Sequence, residues 1–271
     1  MNPENTPIED AVRALQQRFG DAPPLSIVLG SGLGAVSDRL TDAVTAPYGE
    51  VGLPDSGVQG HHGVLHRGDL NGVPTAVLAG RVHMYEGHPP ARVVRAVRVL
   101  HRWGVKTLIL TCSVGGLRPE LGPGTLVSVS DQVNLQGVNP LIGPAWGTRF
   151  PDMTEAYSPT LRATLAATAG EIGVPLESGV LMAMSGPAYE TPAEVRMLAA
   201  LGGDVVSMST APEVLAAREA GLPVAAIAVV ANPGAGLHDR VLTHDEVTES
   251  AHRAAASLGR LLEAAAPALV A

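Results

Sequence analysis

Short apolar runs rich in β-branched residues alternate with longer segments of helical periodicity, and this alternation constrains the fold more than any single motif. The runs are nearly continuous in apolar residues, which is typical of strands buried on both faces of a sheet. They lie at 25–29, 75–79, 107–111, 125–130, 179–184, 205–208 and 224–230. Helical patterns lie between several of them, at 7–18, 90–103, 159–172, 192–201, 211–220 and 244–265. The sequence therefore predicts an α/β sandwich with a mostly parallel or mixed central sheet.

Composition favours one folded domain over residues 1–271. The chain is 46% hydrophobic and 16% charged, and its 31 glycines and 22 prolines are scattered between the apolar runs as turn residues. A formal net charge of −8 argues against nucleic acid as a partner, because binding to phosphodiesters needs a basic surface. In the Arg-rich stretch 91–104, apolar residues recur at helical spacing, so we interpret its arginines as a solvated helix face.

Two further features of the sequence indicate where in the cell the protein is located. The longest apolar stretch, 222–231, has about half the length that a membrane-spanning helix requires, so no membrane partner is expected. Cys112 is the single cysteine, which excludes an internal disulfide, and the first residues lack a signal-peptide pattern. We therefore expect a cytoplasmic protein.

The glycine turn in "VLGSGLG", 28–34, predicts an anion site, because a strand that ends in such a turn before a helix leaves backbone N–H groups uncovered. The same turn matches the loose dinucleotide fingerprint at Gly30, Gly32 and Ala35. That fingerprint also needs an acidic residue at the end of a second strand. Glu50 has the spacing but lies among glycines and prolines, which disfavours NAD binding.

Polar residues follow nearly every predicted strand, where ligands bind in open α/β sheets. Arg81 and His83 lie two residues apart, so in extended backbone their side chains point to the same side, as the sharing of one anion requires. The alternative for this pair is a surface arginine and a histidine that caps a helix. Glu190 and Asn232 suit a planar heterocycle, since a carboxylate accepts from ring N–H groups and an amide both donates and accepts. Tyr189 offers a stacking face beside them. The alternative for Glu190 is that it caps the helix beginning near residue 192.

Neither a metal nor a serine nucleophile is predicted. The histidines of "HHGVLH", 61–66, lack a metal-binding helix motif and a neighbouring carboxylate cluster. Ser185 and Ser209 lack the G-x-S-x-G elbow. We expect no metal and no cofactor, and we interpret the anion of the glycine turn as a small phosphate.

An ordered set of motifs resembles the trimeric purine nucleoside phosphorylases over nearly the whole chain, from about residue 7 to 265. These motifs are "VLGSGLG", "GRVHMYEGH", "SVGGL", "NPLIGP", "RFPDM", "SGPAYETPAE", "MSTAPEVLAAR" and "AN" followed by "THDEV". The resemblance implies a three-layer α/β/α sandwich with a mixed central β-sheet and phosphorolysis of purine nucleosides. A related enzyme that acts on methylthioadenosine shares the general pattern.

Carried over to this sequence, the resemblance implies three groups of residues. Phosphate would be held by Ser31, His61, Arg81, His83, Ser113 and Ser209. The nucleoside would be held by Tyr85, Phe150, Tyr189, Glu190, Met208, Asn232 and His244, with Phe150 reaching a neighbouring subunit's site in a homotrimer. Catalysis would rest on Glu190, Asn232 and His83.

The amide at Asn232 favours 6-oxopurines over adenosine and methylthioadenosine, for which a carboxylate would suit the exocyclic amine. The chain departs from the family pattern at Cys112 and Ser113, in "TCSVGG", and at Pro233. These departures bear on substrate breadth more than on reaction type. A methylthioadenosine phosphorylase and a non-catalytic nucleotide- or phosphate-binding protein are the alternatives.

Overall fold

The computed structural model describes residues 4–57, 63–237 and 244–271, with residues 244–253 described by backbone only. Within these ranges the strands form one mixed sheet. They are β1 (Leu25–Val28), β2 (Thr41–Pro47), β3 (Val64–Leu70), β4 (Val73–Ala79), β5 (Thr107–Gly116), β6 (Leu126–Asn134), β7 (Glu177–Ala183), β8 (Val205–Ser207) and β9 (Val224–Pro233).

The order of strands is β2-β3-β4-β1-β5-β8-β7-β6-β9, and β9 also pairs with β5. β1 runs parallel to both β4 and β5, and β5 runs parallel to β9, whereas β5 and β8 are antiparallel. The pairing of β9 with β5 closes five strands into a ring, which the alternation of elements does not predict. The mixed sheet itself confirms the predicted architecture.

Helices cover both faces of the sheet. They are α1 (Asn5–Phe19), α2 (Pro90–Val93), α3 (Arg95–Trp103), α4 (Pro159–Glu171), α5 (Pro192–Ala200), α6 (Ala211–Ala220) and α7 (His244–Leu269). Alternation along β5 builds two cores: Leu108 and Leu110 pack with α1, α3 and α6, while Ile109 packs with α4 and α7. None of the described helices is long and apolar enough to cross a membrane.

The predicted helix over 90–103 is wrong in two respects. The chain forms two helices there, separated at Val94. The arginines of this stretch are not a uniformly solvated face, because Arg98 is buried and donates to Glu219 of α6 across 3.0 Å. Arg95, in turn, donates to Glu4. Which of these arginines point inwards therefore depends on ion pairs with neighbouring segments and not on helical spacing alone.

Candidate active site

A cavity of about 310 Å³ opens at the end of the sheet where the parallel strands β1, β4, β5 and β9 terminate. Its wall combines the turn after β1, the segment after β4, the last residues of β5 and β8, and the segments before α5 and after β9. Lining residues with polar, aromatic or sulfur-containing side chains are Ser31, Arg81, His83, Tyr85, Cys112, Ser113, Tyr189, Glu190, Ser207, Met208, Ser209 and Asn232. Segments distant in sequence thus meet at one edge of the sheet, as ligand sites in α/β folds do.

The turn after β1 is held against β5 and has no room for a side chain at Gly30. A Cβ on Gly30 would lie 2.8 Å from Cα of Cys112. The Gly30 N–H donates to Oγ1 of Thr111 across 3.0 Å, and Ser113 Oγ donates to the Ser31 carbonyl across 2.6 Å. Gly32 has a φ of 76°, which favours glycine. The helix expected after this turn is a 3-10 helix, Gly34–Arg39, so any anion here would bind to turn groups.

Arg81 is a buried cation at the base of the cavity, with 5% of its surface exposed. Its Nη1 donates to Ser209 Oγ across 3.3 Å and its Nη2 donates to the Val28 carbonyl across 3.1 Å. The Nε atom lies 3.3 Å from Oε1 of Glu213, which is equally buried. These contacts fix the guanidinium plane and join the segment after β4 to the segment after β8.

His83 is held from two sides in the cavity wall. Its backbone N–H donates to Oε1 of Glu86 across 2.6 Å, and its Nδ1 lies 3.2 Å from the same oxygen. Burial, together with the charge of Arg81, lowers the pKa of His83 to about 4, although Glu86 opposes this shift. The imidazole is therefore neutral at physiological pH, and the carboxylate beside Nδ1 favours the tautomer with its proton there.

Glu86 is itself fixed by hydrogen bonds from the loop that precedes β3. Its Oε2 accepts from Ser56 Oγ and from the Gly57 N–H, each across 3.0 Å. Burial would raise the pKa of Glu86, but these bonds and those from His83 lower it overall. A charged Glu86 thus orients His83, a role that the sequence patterns did not predict.

Hydroxyl groups line the cavity at the end of β8. The Ser209 N–H donates to Ser207 Oγ across 3.2 Å, and the Ser209 hydroxyl lies 3.3 Å from that of Thr210. Thr210 adopts a φ of 74°, which is rare for a β-branched residue. Ser207 was missed by the sequence analysis because it reads as an ordinary residue inside a buried strand.

The residues expected to bind a purine line the same cavity. Asn232 is exposed there, and its Nδ2 donates to the Pro233 carbonyl across 3.0 Å. The alternative in which Glu190 caps α5 is wrong. Thr191 caps that helix by accepting from the Glu194 N–H, while Glu194 accepts from the Thr191 N–H across 2.8 Å. Glu190 takes no part in this cap and lines the cavity instead.

One predicted residue with a described side chain, Phe150, is not among the residues that line the cavity. Phe150 lies on the segment between β6 and α4 with 87% of its surface exposed. His61 and the side chain of His244 lie outside the described residues. Among the residues whose side chains the structure describes, no three His, Cys, Asp or Glu side chains group as metal ligands would.

Comparison with known proteins relates this geometry to a family. A family model described as "Phosphorylase superfamily" matches residues 24–267. The chain belongs to this superfamily. It is 45% identical to purine nucleoside phosphorylase 1 of Geobacillus stearothermophilus over 263 residues, which cover 96% of each chain. It is 38% identical to the purine nucleoside phosphorylase of Bos taurus, over 92% of this chain and 90% of that one.

Solved structures agree with the sequence relatives. The crystal structure of Schistosoma mansoni purine nucleoside phosphorylase in complex with adenosine superposes with a TM-score of 0.87. It is 36% identical in sequence and the match covers 97% of this chain and 96% of that one. The resemblance seen in the motifs is therefore confirmed for the family and its fold, and the chain is a pentosyltransferase of the purine nucleoside phosphorylase type.

Proposed function

We propose that this enzyme catalyses the reversible phosphorolysis of inosine, guanosine and their 2′-deoxy forms to the free purine and (deoxy)ribose 1-phosphate. The observation that carries the proposal is one cavity that unites a buried cation with hydroxyl donors and, on other segments of its wall, a carboxylate and an amide. The first set suits inorganic phosphate and the second set suits a purine ring. The reaction requires both ligands side by side.

On this proposal the phosphate contacts the Arg81 guanidinium, the serine hydroxyls and the turn that carries Ser31. His61 would join them from a segment outside the described residues. His83 is neutral, with its Nδ1 proton directed to Glu86, so its other ring nitrogen can accept a hydrogen bond from a protonated phosphate oxygen. These contacts orient one phosphate oxygen towards C1′ of the nucleoside.

Cleavage of the N-glycosidic bond gives the ribose an oxocarbenium character and moves the bonding electron pair into the purine. The phosphate anion stabilises the developing positive charge and forms the new bond to C1′. Glu190 and Asn232 stabilise the leaving purine by hydrogen bonds at its N1, O6 and N7 positions. Tyr85, Tyr189, Met208 and, from its helix, His244 would hold the base and sugar in line with the phosphate. The reaction balances without a metal, a redox cofactor or a covalent enzyme intermediate.

The preference for 6-oxopurines rests on Asn232. Its amide can donate to O6 or N7 and accept from a ring N–H, whereas the 6-amino group of adenine offers a donor where the oxopurine has an acceptor. A relative in the same fold has been solved with adenosine bound, so binding alone does not discriminate between the substrates. Cleavage has to be measured.

We further propose a homotrimer in which Phe150 completes the neighbouring subunit's site. Phe150 and Ile142 lie on the segment between β6 and α4 and are exposed by 87% and 82%, which suits a surface covered by another copy. We also propose that the enzyme acts in the cytoplasm, where a single buried cysteine without an internal disulfide is typical, and that it serves purine salvage there.

The experiment that tests the proposal is hypoxanthine release from inosine by the purified protein, with and without inorganic phosphate. Adenosine and methylthioadenosine serve as parallel substrates, and all assays are repeated after treatment with a chelator. Phosphate-dependent cleavage of inosine that exceeds cleavage of the other two is the expected result, with no effect of the chelator. Faster cleavage of methylthioadenosine would favour that alternative reaction, and cleavage of none would favour a binding protein.

A further inference from the structure

Glu213, a buried carboxylate near the start of α6, contacts Arg81 of the cavity and the Thr210 N–H beside Ser209. It lies within the motif "MSTAPEVLAAR", but the sequence analysis gave it no role. We propose that Glu213 is a positioning residue for phosphate: it holds Arg81 and the Ser209–Thr210 backbone in the geometry that binds the anion. The inference rests on the proposed role of Arg81 and Ser209 in binding phosphate. It adds a residue that does not itself line the cavity.

The two carboxylate oxygens of Glu213 bind different elements. Oε1 lies 3.3 Å from Arg81 Nε, on the segment after β4, and Oε2 accepts from the Thr210 N–H across 3.1 Å, on the segment after β8. Arg81 then donates to Ser209 Oγ across 3.3 Å, which closes a ring of contacts through one carboxylate. One side chain thereby sets the distance between the cation and the neighbouring hydroxyl.

The bridge through Glu213 places two opposite charges almost entirely out of contact with water. The side chains of Arg81 and Glu213 are 4% and 5% exposed, so each charge depends on the other for compensation in a medium that solvates it poorly. Thr210, which is fully buried, keeps a φ of 74° that costs free energy and persists only where neighbouring contacts impose it. The Glu213 bond to the Thr210 N–H is such a contact, and the adjacent residue is Ser209.

Glu219 provides a matched control on the same helix. It is also buried, and it forms an ion pair with a buried arginine, Arg98, across 3.0 Å. Its other oxygen accepts from the Trp146 N–H across 3.0 Å, so like Glu213 it binds one arginine and one backbone N–H. Glu219 and Arg98 lie on a separate pocket, away from the phosphate cavity. If only the loss of a buried ion pair mattered, substitution of Glu213 and substitution of Glu219 would change the phosphate KM equally.

The test compares Glu213→Gln with Glu219→Gln in steady-state phosphorolysis of inosine. KM for phosphate is measured at saturating inosine, and KM for inosine is measured at saturating phosphate. The amide carries no negative charge to pair with Arg81, and only one of its two polar atoms can accept a hydrogen bond, so it cannot keep both contacts of the carboxylate. We expect the phosphate KM of Glu213→Gln to rise by about tenfold or more with its inosine KM within about threefold of wild type, as for loss of one charge-assisted contact. The phosphate KM of Glu219→Gln stays at the wild-type value.

A Glu213→Asp variant covers the case in which Glu213→Gln does not fold. It keeps the charge but withdraws the carboxylate by one methylene, so a selective rise in phosphate KM of about threefold or more supports the proposal. Equal phosphate KM values for the folded Glu213 variants and Glu219→Gln would overturn it. If the wild-type protein cleaves inosine without any dependence on phosphate, the proposed function itself is overturned. Measuring the phosphate dependence of the wild-type protein therefore distinguishes failure of the proposed function from failure of the proposed role of Glu213.

Discussion

The imidazole of His83 stacks on the phenol ring of Tyr85, with ring centroids 4.7 Å apart and planes inclined by 15°. Glu86 contacts the edge of the same imidazole at Nδ1, across 3.2 Å. The ring is therefore fixed in orientation and largely removed from water, and both conditions bear on its protonation. Because His83 is kept neutral in this way, the free energy of unfolding is expected to depend on pH.

As the pH is lowered from about 6.5 to about 4, protonation linked to His83 is expected to reduce the free energy of unfolding. Burial lowers its pKa in the folded chain to about 4, whereas the unfolded chain takes up a proton near pH 6.5. In this window the unfolded state binds more protons, so stability rises with pH and is lost as pH falls, by up to about 3 kcal/mol. Urea unfolding at closely spaced pH values in phosphate-free buffer measures the slope.

His83→Gln removes this titration and is the comparison for that experiment. The difference in unfolding free energy between wild type and His83→Gln should change through the window from 6.5 to about 4 and stay constant above pH 7. The variant's glutamine amide can still donate to Glu86, whose lowered pKa depends partly on the His83 ring, and groups away from His83 titrate alike in both proteins, so their contributions cancel in the difference. Parallel curves over the whole range would contradict the lowered pKa.

Gly30→Ala is expected to destabilise the protein and weaken phosphate binding together. The new methyl carbon would lie 2.8 Å from Cα of Cys112, so the turn has to move away from β5. Such overpacking costs about 1–3 kcal/mol and would separate Ser31 from Ser113. Gly32→Ala, whose methyl group would meet no atom within 4 Å, is the control and costs about 1 kcal/mol for its positive φ. Urea midpoints and the phosphate KM measure both effects, and an unchanged phosphate KM in Gly30→Ala would separate the turn from phosphate binding.

Asn232→Asp is expected to shift cleavage from inosine towards adenosine. A carboxylate repels O6 of hypoxanthine and accepts from the amino group of adenine, so kcat/KM for inosine should fall by roughly 100-fold or more. Asn134→Asp is the control, because Asn134 also donates its Nδ2 to a backbone carbonyl, across 3.1 Å, but does not line the cavity. The ratio of kcat/KM for the two nucleosides is the readout, and a ratio that does not move would remove Asn232 from base recognition.

Buried strands could be predicted from the sequence because their two faces are both apolar, but two strands at the edge of the sheet could not. β2 is exposed at six of its seven residues, and β3 carries His66, Arg67, Gly68 and Asp69 between its apolar ends, so neither forms a continuous apolar run. One signal was available: Asn71 and Gly72 join β3 to β4 with φ values of 53° and 80°, as a two-residue hairpin turn requires. The ring closure of β9 on β5 depends on long-range pairing that no local pattern encodes.

The candidate site also contains residues that could be predicted from the sequence and one residue that could not. Residues at or just after the ends of strands, such as Arg81 after β4 and Asn232 near the end of β9, could be predicted because the ends of strands converge on a common edge. Glu213 could not, since near the start of a helix a glutamate reads as an ordinary capping residue, and it does accept from the Thr210 N–H. Its contact with Arg81 joins positions far apart in sequence, which only the folded chain brings together.

Phe150→Ala is expected to raise the KM for inosine without changing the stability of the isolated subunit. The side chain is 87% exposed, so its removal leaves no cavity in the chain's own core. If Phe150 packs on the nucleoside bound by a neighbouring copy, the variant loses that apolar contact while its phosphate KM stays unchanged. Ile142→Ala is the control, since Ile142 is 82% exposed on the same segment. Sedimentation equilibrium of both variants establishes whether they still assemble. An inosine KM that rises equally in both, or in neither, would place Phe150 outside the nucleoside site.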